Sequence, residues 1–438
     1  MRARLILGWL VVLTMVAAIG YAQEAPGVRL SLAEALDIAR KNNPDYLTSV
    51  SARSPASWSL TNSTLKLFTP SATINGGYSY SAASAGFNFN GLIFGATPSY
   101  HQNNLSFNLS YALSGTTIAN RSAAAAQLRA ADQDISGAHT LLETSVKQEY
   151  INLLEARAQA DLEQRVVAQA QDLLNLATAQ YNVGQKTIID VKQAQVTKGN
   201  ADVALLQAQQ NVQAEVLKLY QLLGVPAPEP PNVVPTDSFA VVQPAYNEDS
   251  LVALALDVNP TLRAVRAREG AARWTARAAY SQFLPSLQAS ASTGTAWITQ
   301  DTMNIRQKNP WFIQVGISLP IYDALSRNQA VSQANAADEA LRQSIRKNEL
   351  LVRANVSTAY LGLLTAYRTI AVRANNRSAA DDALALAEQQ YRVGSGSIIQ
   401  LTDAQVASEQ AGVTYINAVY DYHKAIAALE QAVGLPLR

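Results

Sequence analysis

Tyr181-Asn-Val-Gly-Gln-Lys-Thr-Ile-Ile-Asp-Val191 returns 210 residues later as Tyr391-Arg-Val-Gly-Ser-Gly-Ser-Ile-Ile-Gln-Leu401. The same spacing carries Leu223-Gly-Val-Pro226 onto Val433-Gly-Leu-Pro436, and 15 of the 46 positions spanned are identical without a gap. Upstream, Val146, Tyr150 and Leu154 correspond to Val356, Tyr360 and Leu364. Toward the start of each copy the spacing drifts to 215–216. There Asn43-Pro44 and Trp58 match Asn259-Pro260 and Trp274, and Phe68-x-Pro70-Ser71 matches Phe283-x-Pro285-Ser286. Solenoid units repeat every 20–50 residues or so, whereas this period is that of a whole domain. The chain reads as a tandem duplication, with a first repeat over 23–226, a Pro-rich linker over 227–244 and a second repeat over 245–438.

Proline placement says what each copy contains. Of the 16 prolines, none lies between Ser99 and Val225 and none between Ile321 and Leu435, while Pro226, Pro228, Pro230, Pro231, Pro235 and Pro244 crowd the linker. Proline in a helix interior costs about 3 kcal/mol, so long tracts without it permit very long helices. Both tracts are rich in Ala, Leu, Gln, Glu, Lys and Arg, with apolar residues at helical spacing: Leu142, Val146, Tyr150, Leu153 and again Val356, Tyr360, Leu363, Leu364. We expect long helices over about 116–180 and 188–223, then about 324–390 and 398–433.

Composition narrows the function. The 438 residues carry 34 basic and 33 acidic side chains, so the charge is near neutral and a nucleic-acid partner, which needs a basic excess, is not expected. The absence of cysteine removes disulfides, thiolate metal sites and Cys nucleophiles. His101, His139 and His423 are scattered, and His139 with Glu143 lacks the second histidine of a zinc pair. Gly184-Gln-Lys-Thr187 has neither the upstream glycine nor the Gly-Lys dipeptide of a phosphate loop. No enzyme, cofactor or metal site is expected. At the N-terminus, Arg2 and Arg4 precede an apolar stretch from Leu5 to Ala18, and Gly20-Tyr21-Ala22 supplies small residues two apart. This reads as a signal peptide over 1–22, too short in its apolar part for the roughly 20 residues of a membrane-spanning helix.

Between the early helices and each long tract the pattern switches to period two. Ile74, Gly76, Tyr78 and Tyr80 oppose Asn75, Gly77 and Ser79; Leu105, Phe107, Leu109, Tyr111 and Leu113 oppose Ser106, Asn108 and Ser110. In the second copy Leu287, Ala289, Ala291 and Trp297 oppose Gln288, Ser290 and Ser292, and Trp311, Ile313, Val315, Ile317 and Leu319 oppose Gln314, Gly316 and Ser318. Strands are expected at about 72–82, 103–113, 286–298 and 311–321, joined by loops around 84–99 and 299–308. Alternation alone fits a soluble hairpin packed on a helix as well as a membrane hairpin. Small uncharged polar faces and the export signal favour the membrane. A barrel must close and needs about eight strands, so four strands per chain require sharing: two copies give 8 and three give 12.

An export signal, a duplicated chain, paired long helices and two hairpins resemble the TolC-type outer membrane efflux family. The similarity covers nearly all of the chain beyond the signal peptide. Its local marks are the 181–191 stretch, the less complete 391–401 copy, both Asn-Pro pairs, Phe283-Leu-Pro285-Ser, and Leu319-Pro-Ile-Tyr-Asp323 at a strand-to-helix exit. The resemblance implies a mainly α fold with a membrane β-barrel: a homotrimer whose 12-stranded barrel sits in outer-membrane lipid and continues into an α-helical periplasmic tunnel. It implies an exit duct for a tripartite efflux pump or type I secretion system, with a periplasmic adaptor protein and an inner-membrane transporter as partners. The competing expectation is an exported periplasmic helical scaffold with no pore.

The resemblance places the helix-to-helix turns at the periplasmic tip. It assigns adaptor contact to Tyr181, Val183, Gly184, Lys186, Tyr391, Val393 and Gly394. Gly184 and Gly394 stand where a helix must reverse, with Thr187 and Ser397 as candidate N-caps. Asp190, Gln193, Gln400 and Asp403 are the candidate aperture. The family often has carboxylates at both offsets of its second repeat, whereas this chain has Gln400 before Asp403 and Asp190 before Gln193. A threefold ring of such carboxylates would attract cations; each Asp also reads as a solvated helix-start charge favoured by the dipole. Lys186, with Gly396 at the equivalent position, reads as a solvated cation before it reads as a partner for an acid or an adaptor.

Overall fold

The computed structural model describes residues 28–89, 92–95, 98–231, 233–300 and 303–437, so the expected signal peptide lies outside the described residues. The chain is mainly helical. In the first repeat, β1 (Val28–Leu30) leads into α1 (Leu32–Asn42), α2 (Pro44–Ser51) and α3 (Arg53–Phe68). Strands β2 (Ser71–Ser81), β3 (Phe87–Phe89), β4 (Leu92–Phe94) and β5 (Tyr100–Leu113) follow, then α4 (Gly115–Asn182) and α5 (Ile188–Leu223). After β6 (Val233–Pro235) in the linker, the second repeat runs α6 (Glu248–Val258), α7 (Pro260–Ser281), β7 (Ser286–Gln300), β8 (Met303–Ser318), α8 (Ser326–Arg392) and α9 (Ile398–Val433). The 68 residues of α4 make a helix about 100 Å long at 1.5 Å per residue.

Equivalent residues close both repeats. Asn43 caps α2 by accepting from the Tyr46 N–H and donates to the Leu222 carbonyl at 2.8 Å, in the last turn of α5. Asn259 caps α7 through the Leu262 N–H and donates to the Ala432 carbonyl at 3.1 Å, in the last turn of α9. Each asparagine thus satisfies a carbonyl that the helix end leaves unpaired. Gly224 and Gly434 follow these ends with φ of 72° and 92°. A Cβ on Gly224 would sit 2.3 Å from the Asn42 carbonyl oxygen, and one on Gly434 would sit 2.8 Å from Pro260 Cδ. Only glycine fits a left-handed turn pressed so closely on backbone.

Tyr150 and Tyr360 anchor the segments that lead into the first helix of each repeat. The buried Tyr150 hydroxyl lies 2.9 Å from the Leu30 carbonyl and 2.8 Å from Asp237 Oδ2, and Tyr360 donates to the Tyr246 carbonyl. The linker is therefore partly structured, since β6 pairs in parallel with β1. Nothing in the periodicity of a three-residue strand marks it.

The sheet runs β2-β5-β7-β8, all antiparallel, with β5 of the first repeat paired to β7 of the second. Its register sets Ile74 beside Phe107, Leu109 beside Ala291, and Ala291 beside Ile313, so that the apolar residues of all four strands share one face, which at the start of β8 also carries Arg306 and Lys308. That face is open: Ile74, Val315 and Ile317 are all exposed, Ile317 by 76%. Two expectations need correction. The region 299–308 is mostly strand, because β8 begins at Met303; its polar start (Asn304, Arg306, Lys308) shows no apolar alternation yet pairs with Thr299, Trp297 and Thr295. Strand β8 also holds Pro310, tolerated because the ladder shifts register beside it, between Ser292 and Gly294. Likewise the region 84–99 contains the small hairpin β3–β4 rather than loop alone.

Helix α8 starts at Ser326, not 324, since Ala324 and Leu325 take left-handed φ of 53° and 67°. The Asp323 carboxylate then caps the helix, accepting from Ser326 Oγ and from the Arg327 N–H and Nε. Among the described residues no helix is long and apolar enough to cross a membrane.

Candidate functional site

The two helical turns are built alike. Helix α4 ends with Gly184 at φ 78°, its N–H donating to the Tyr181 carbonyl, and the Gln185 N–H reaches back to the Gln180 carbonyl at 2.9 Å. Helix α8 ends with Gly394 at φ 82° and the same two bonds, from Gly394 to Tyr391 and from Ser395 to Gln390. This pair of bonds is a Schellman closure. The returning helices begin with capping boxes. Thr187 donates to Asp190 Oδ2 through its N–H at 3.0 Å and its hydroxyl at 2.6 Å, while Ser397 and Gln400 exchange side-chain-to-backbone bonds at 3.2 Å.

Asp190 and Gln400 therefore do the same local work at the third helical position. Partial burial would raise the Asp190 pKa, but the Thr187 hydroxyl and N–H together with nearby Lys186 outweigh it and hold the carboxyl below its ordinary 3.8. Its charge is turned onto its own helix start. The other aperture candidates are placed differently. Asp403 is exposed, while Gln193 lines a cavity of about 270 Å³ between α4, α5 and α9, with Thr197, Asn200, Gln405 and Glu409. Within one chain the four are not brought to a single point.

Lys186 is not the solvated lysine its sequence suggests. Its ammonium donates to the Gly396 carbonyl at 2.9 Å and lies 4.5 Å from the Tyr391 ring centre, so the first turn is pinned to the second. Tyr391 is fully buried in a cluster with Leu173, Ala177, Val191, Ala194, Leu384 and Ile398, and burial pushes its hydroxyl up to about 12, the charge of Asp190 adding to it. Such a residue offers no surface to a docking protein, which removes Tyr391 from the contact set. Val183 and Val393 are the opposite case, exposed at the two turns. Sequence reading missed Gln180, whose amide donates to the Arg392 carbonyl across the turns at 3.1 Å. Its repeat partner Gln390, at the same 210-residue spacing, is the signal that marks the position.

Farther from the turns, α4 and α9 are laced by Lys147 to Glu430 at 2.6 Å, Lys424 to Glu155 at 2.5 Å, and the amides of Gln159 and Asn417 at 2.8 Å. Glu149 on α4 faces Glu215 on α5; burial, then that neighbour, pushes Glu149 up to about 7. Among the described residues no group of three or more acidic or histidine side chains is arranged as a metal site.

The sequence profile of the outer membrane efflux proteins matches residues 35–225 and 251–435. The chain belongs to the outer membrane efflux protein family. The starts of the two matched segments are 216 residues apart and their ends 210. One similar relative is the outer membrane protein TolC of Vibrio cholerae, 24% identical over 423 residues, covering 92% of this chain and 90% of that protein. Among solved structures, the outer membrane channel CmeC of Campylobacter jejuni superposes with a TM-score of 0.76 at 17% identity, covering 92% of this chain and 85% of that one. The open state of the MtrE outer membrane channel of Neisseria gonorrhoeae superposes at 0.74 and 20% identity, covering 93% and 89%. These likenesses establish the channel fold for the chain.

Proposed function

We propose that this outer membrane efflux protein is the exit duct of a tripartite efflux pump or type I secretion system, three copies forming a 12-stranded barrel and a periplasmic helical tunnel. The observation that carries this reading is the sheet. Its apolar face is exposed, its polar face (Asn75, Ser79, Asn108, Ser290, Gln314) is uncharged, and its outer strands β2 and β8 have no partner on their far sides among the described residues. In lipid an open sheet edge leaves unpaired backbone groups costing several kcal/mol each, so the sheet must close with other copies. Helices of about 100 Å carry the turns far from that barrel, where a periplasmic adaptor and an inner-membrane transporter would meet them. Val183, Gly184, Val393 and Gly394 form the exposed docking surface in this reading. Asp403 is the acid left to line the aperture, Asp190 being engaged in its cap.

Purified protein in planar bilayers tests the proposal. A trimer should conduct ions, and Asp403→Ala should raise conductance and lower cation preference. A detergent-extracted assembly of another size, a chain released from membranes by salt alone, or the absence of conductance sinks the duct. Unchanged conductance in Asp403→Ala removes only the aperture role.

A further inference from the structure

The charges of the sheet are placed where a barrel has least use for them. Strands β2, β5, β7 and β8 hold no Asp or Glu, and their fixed charges are Arg306 and Lys308, two residues apart on β8. The register sets Arg306 beside Trp297 and Lys308 beside Thr295, on the face that Leu287 and Ala291 share. The register shift between Ser292 and Gly294 makes this switch: Ile313, Val315 and Ile317 occupy that face on the helix side of it, Lys308 and Arg306 beyond it. Both cations thus stand on the apolar face, the one that meets lipid in the duct reading, and not on the polar face.

Their height says what they meet. From Leu287, at the helix end of β7, to Trp297 is about 33 Å along the strand at 3.3 Å per residue. With the roughly 40° tilt of membrane barrels this becomes about 25 Å, the height of the whole apolar band. Arg306 is therefore level with the far interface and Lys308 lies about 5 Å below it, where a lipid-facing cation costs far less than at the midplane and its stem can rise to the headgroups. Rings and neutral donors surround the pair. Arg306 sits 5.6 Å from the Trp297 ring centre, and Asn103, Thr299 and Asn304 continue the same face. On its β2 side the Tyr78 hydroxyl lies 2.6 Å from His101 Nδ1, and Tyr80 packs on that imidazole at 4.9 Å. Among the described residues no carboxylate pairs with Arg306 or Lys308, and both are exposed. Closure with other copies supplies none from the sheet, because every strand that could meet β8 belongs to the same acid-free set.

We propose that this patch binds the phosphorylated sugar headgroup of an outer-leaflet glycolipid, with Arg306 and Lys308 on a phosphate and Trp297, Asn103 and Asn304 against the sugar. This rests on the duct reading, which turns the helix end of the sheet toward the periplasm and this end toward the outer leaflet. Lipid is the fitting occupant because the patch continues the apolar band upward, so whatever covers one covers the other. Phosphate supplies the counter-charge that the sheet lacks, and a guanidinium takes it as a fork. A bare anionic lipid would need only the cations; the indole and the amide row are what a sugar uses.

Native mass spectrometry of the detergent-purified full-length protein, titrated with lipid A carrying both phosphates, tests this. Arg306→Gln/Lys308→Gln should bind lipid A at least about tenfold more weakly than the unaltered protein, and Arg306→Lys/Lys308→Arg, which keeps both charges, within about threefold of it. Lipid A stripped of its phosphates should bind the unaltered protein no better than the Gln variant does. Equal affinity of the unaltered protein and the Gln variant for lipid A overturns the site. Equal affinity of the unaltered protein for lipid A and phosphatidylglycerol overturns the glycolipid as occupant. Subunit number and bilayer conductance are read on the same samples: a three-copy, conducting Gln variant that keeps its lipid A overturns the lipid site alone, whereas an unaltered chain that neither assembles in threes nor conducts overturns the duct reading. If the double variant does not assemble, Arg306→Gln and Lys308→Gln singly carry the comparison, each expected to weaken lipid A by about threefold, and no loss in either overturns the site.

Discussion

The two turns share a backbone and differ in chemistry. Gly184 and Gly394 close their helices with the same pair of bonds, and both returning helices start from capping boxes. Between those fixed points, the first turn carries Lys186 and Asp190 where the second has Gly396 and Gln400. The glycines and caps make the turn in both copies; Lys186, which has no counterpart in the second copy, makes a contact between turns that Gly396 cannot return. A duplicated chain thus separates what the fold requires from what one position in the assembly requires.

The sharpest way to break this comparison lies at the far ends of the same helices. Gly224→Ala should cost about 4 kcal/mol, from left-handed strain and a contact of 2.3 Å on backbone oxygen, and Gly434→Ala about 2 kcal/mol, because its nearest atom is 2.8 Å away on a proline ring. Denaturant unfolding in detergent measures both, and equal losses would show that the repeats close equally tightly. Lys186→Ala should loosen the turns by about 1–2 kcal/mol, the sum of one charged hydrogen bond and one cation–π contact. Hydrogen exchange at the amides of 391–397 should quicken, and no change would return Lys186 to the status of a surface cation.

Glu149 and Glu215 have Ala359 and Ala425 as their repeat partners, so a pH dependence should belong to the first repeat alone. With the folded Glu149 raised to about 7 from 4.5, the fold keeps a proton that the unfolded chain gives up. Its contribution to stability therefore falls as pH rises between those values and stays lost above them. Glu149→Gln should stabilise by about 1 kcal/mol at pH 8 and hardly at all at pH 5, a figure reduced for its partial exposure. Equal effects at both pH values would show that the pair shares no proton. The smallest contrast is in the caps: Asp190→Ala should cost about 1 kcal/mol and Gln400→Ala about half that. The Asp190 share holds above its ordinary 3.8 and is lost as pH falls through its lower folded value, whereas the Gln400 share does not titrate. Helix-start amide exchange followed against pH distinguishes them.

The long helices were legible because proline-free tracts and a gapless 210-residue spacing register every turn twice. The strands showed only where one face is apolar, so the polar start of β8 and the short strands β1, β3, β4 and β6 left no periodic trace. At the turns, glycine and capping positions follow from local backbone geometry and could be read directly. The reach of Lys186 to Gly396 and the burial of Tyr391 depend on which side of the first repeat the second one docks, and local pattern does not carry that. The same limit hid the Glu149–Glu215 pair, which exists only once α4 and α5 are folded together.

Helices α5 and α9 have 36 residues each, and α4 and α8 have 68 and 67. Adding one residue to such a helix moves everything beyond it by 1.5 Å and turns it by about 100°. A change in length confined to one helix would shear Lys147 from Glu430 and swing one turn out of reach of the other. The chain behaves as a ruler with coupled scales, its span adjustable only in increments near a whole number of turns, made on both arms of a hairpin and in both repeats together.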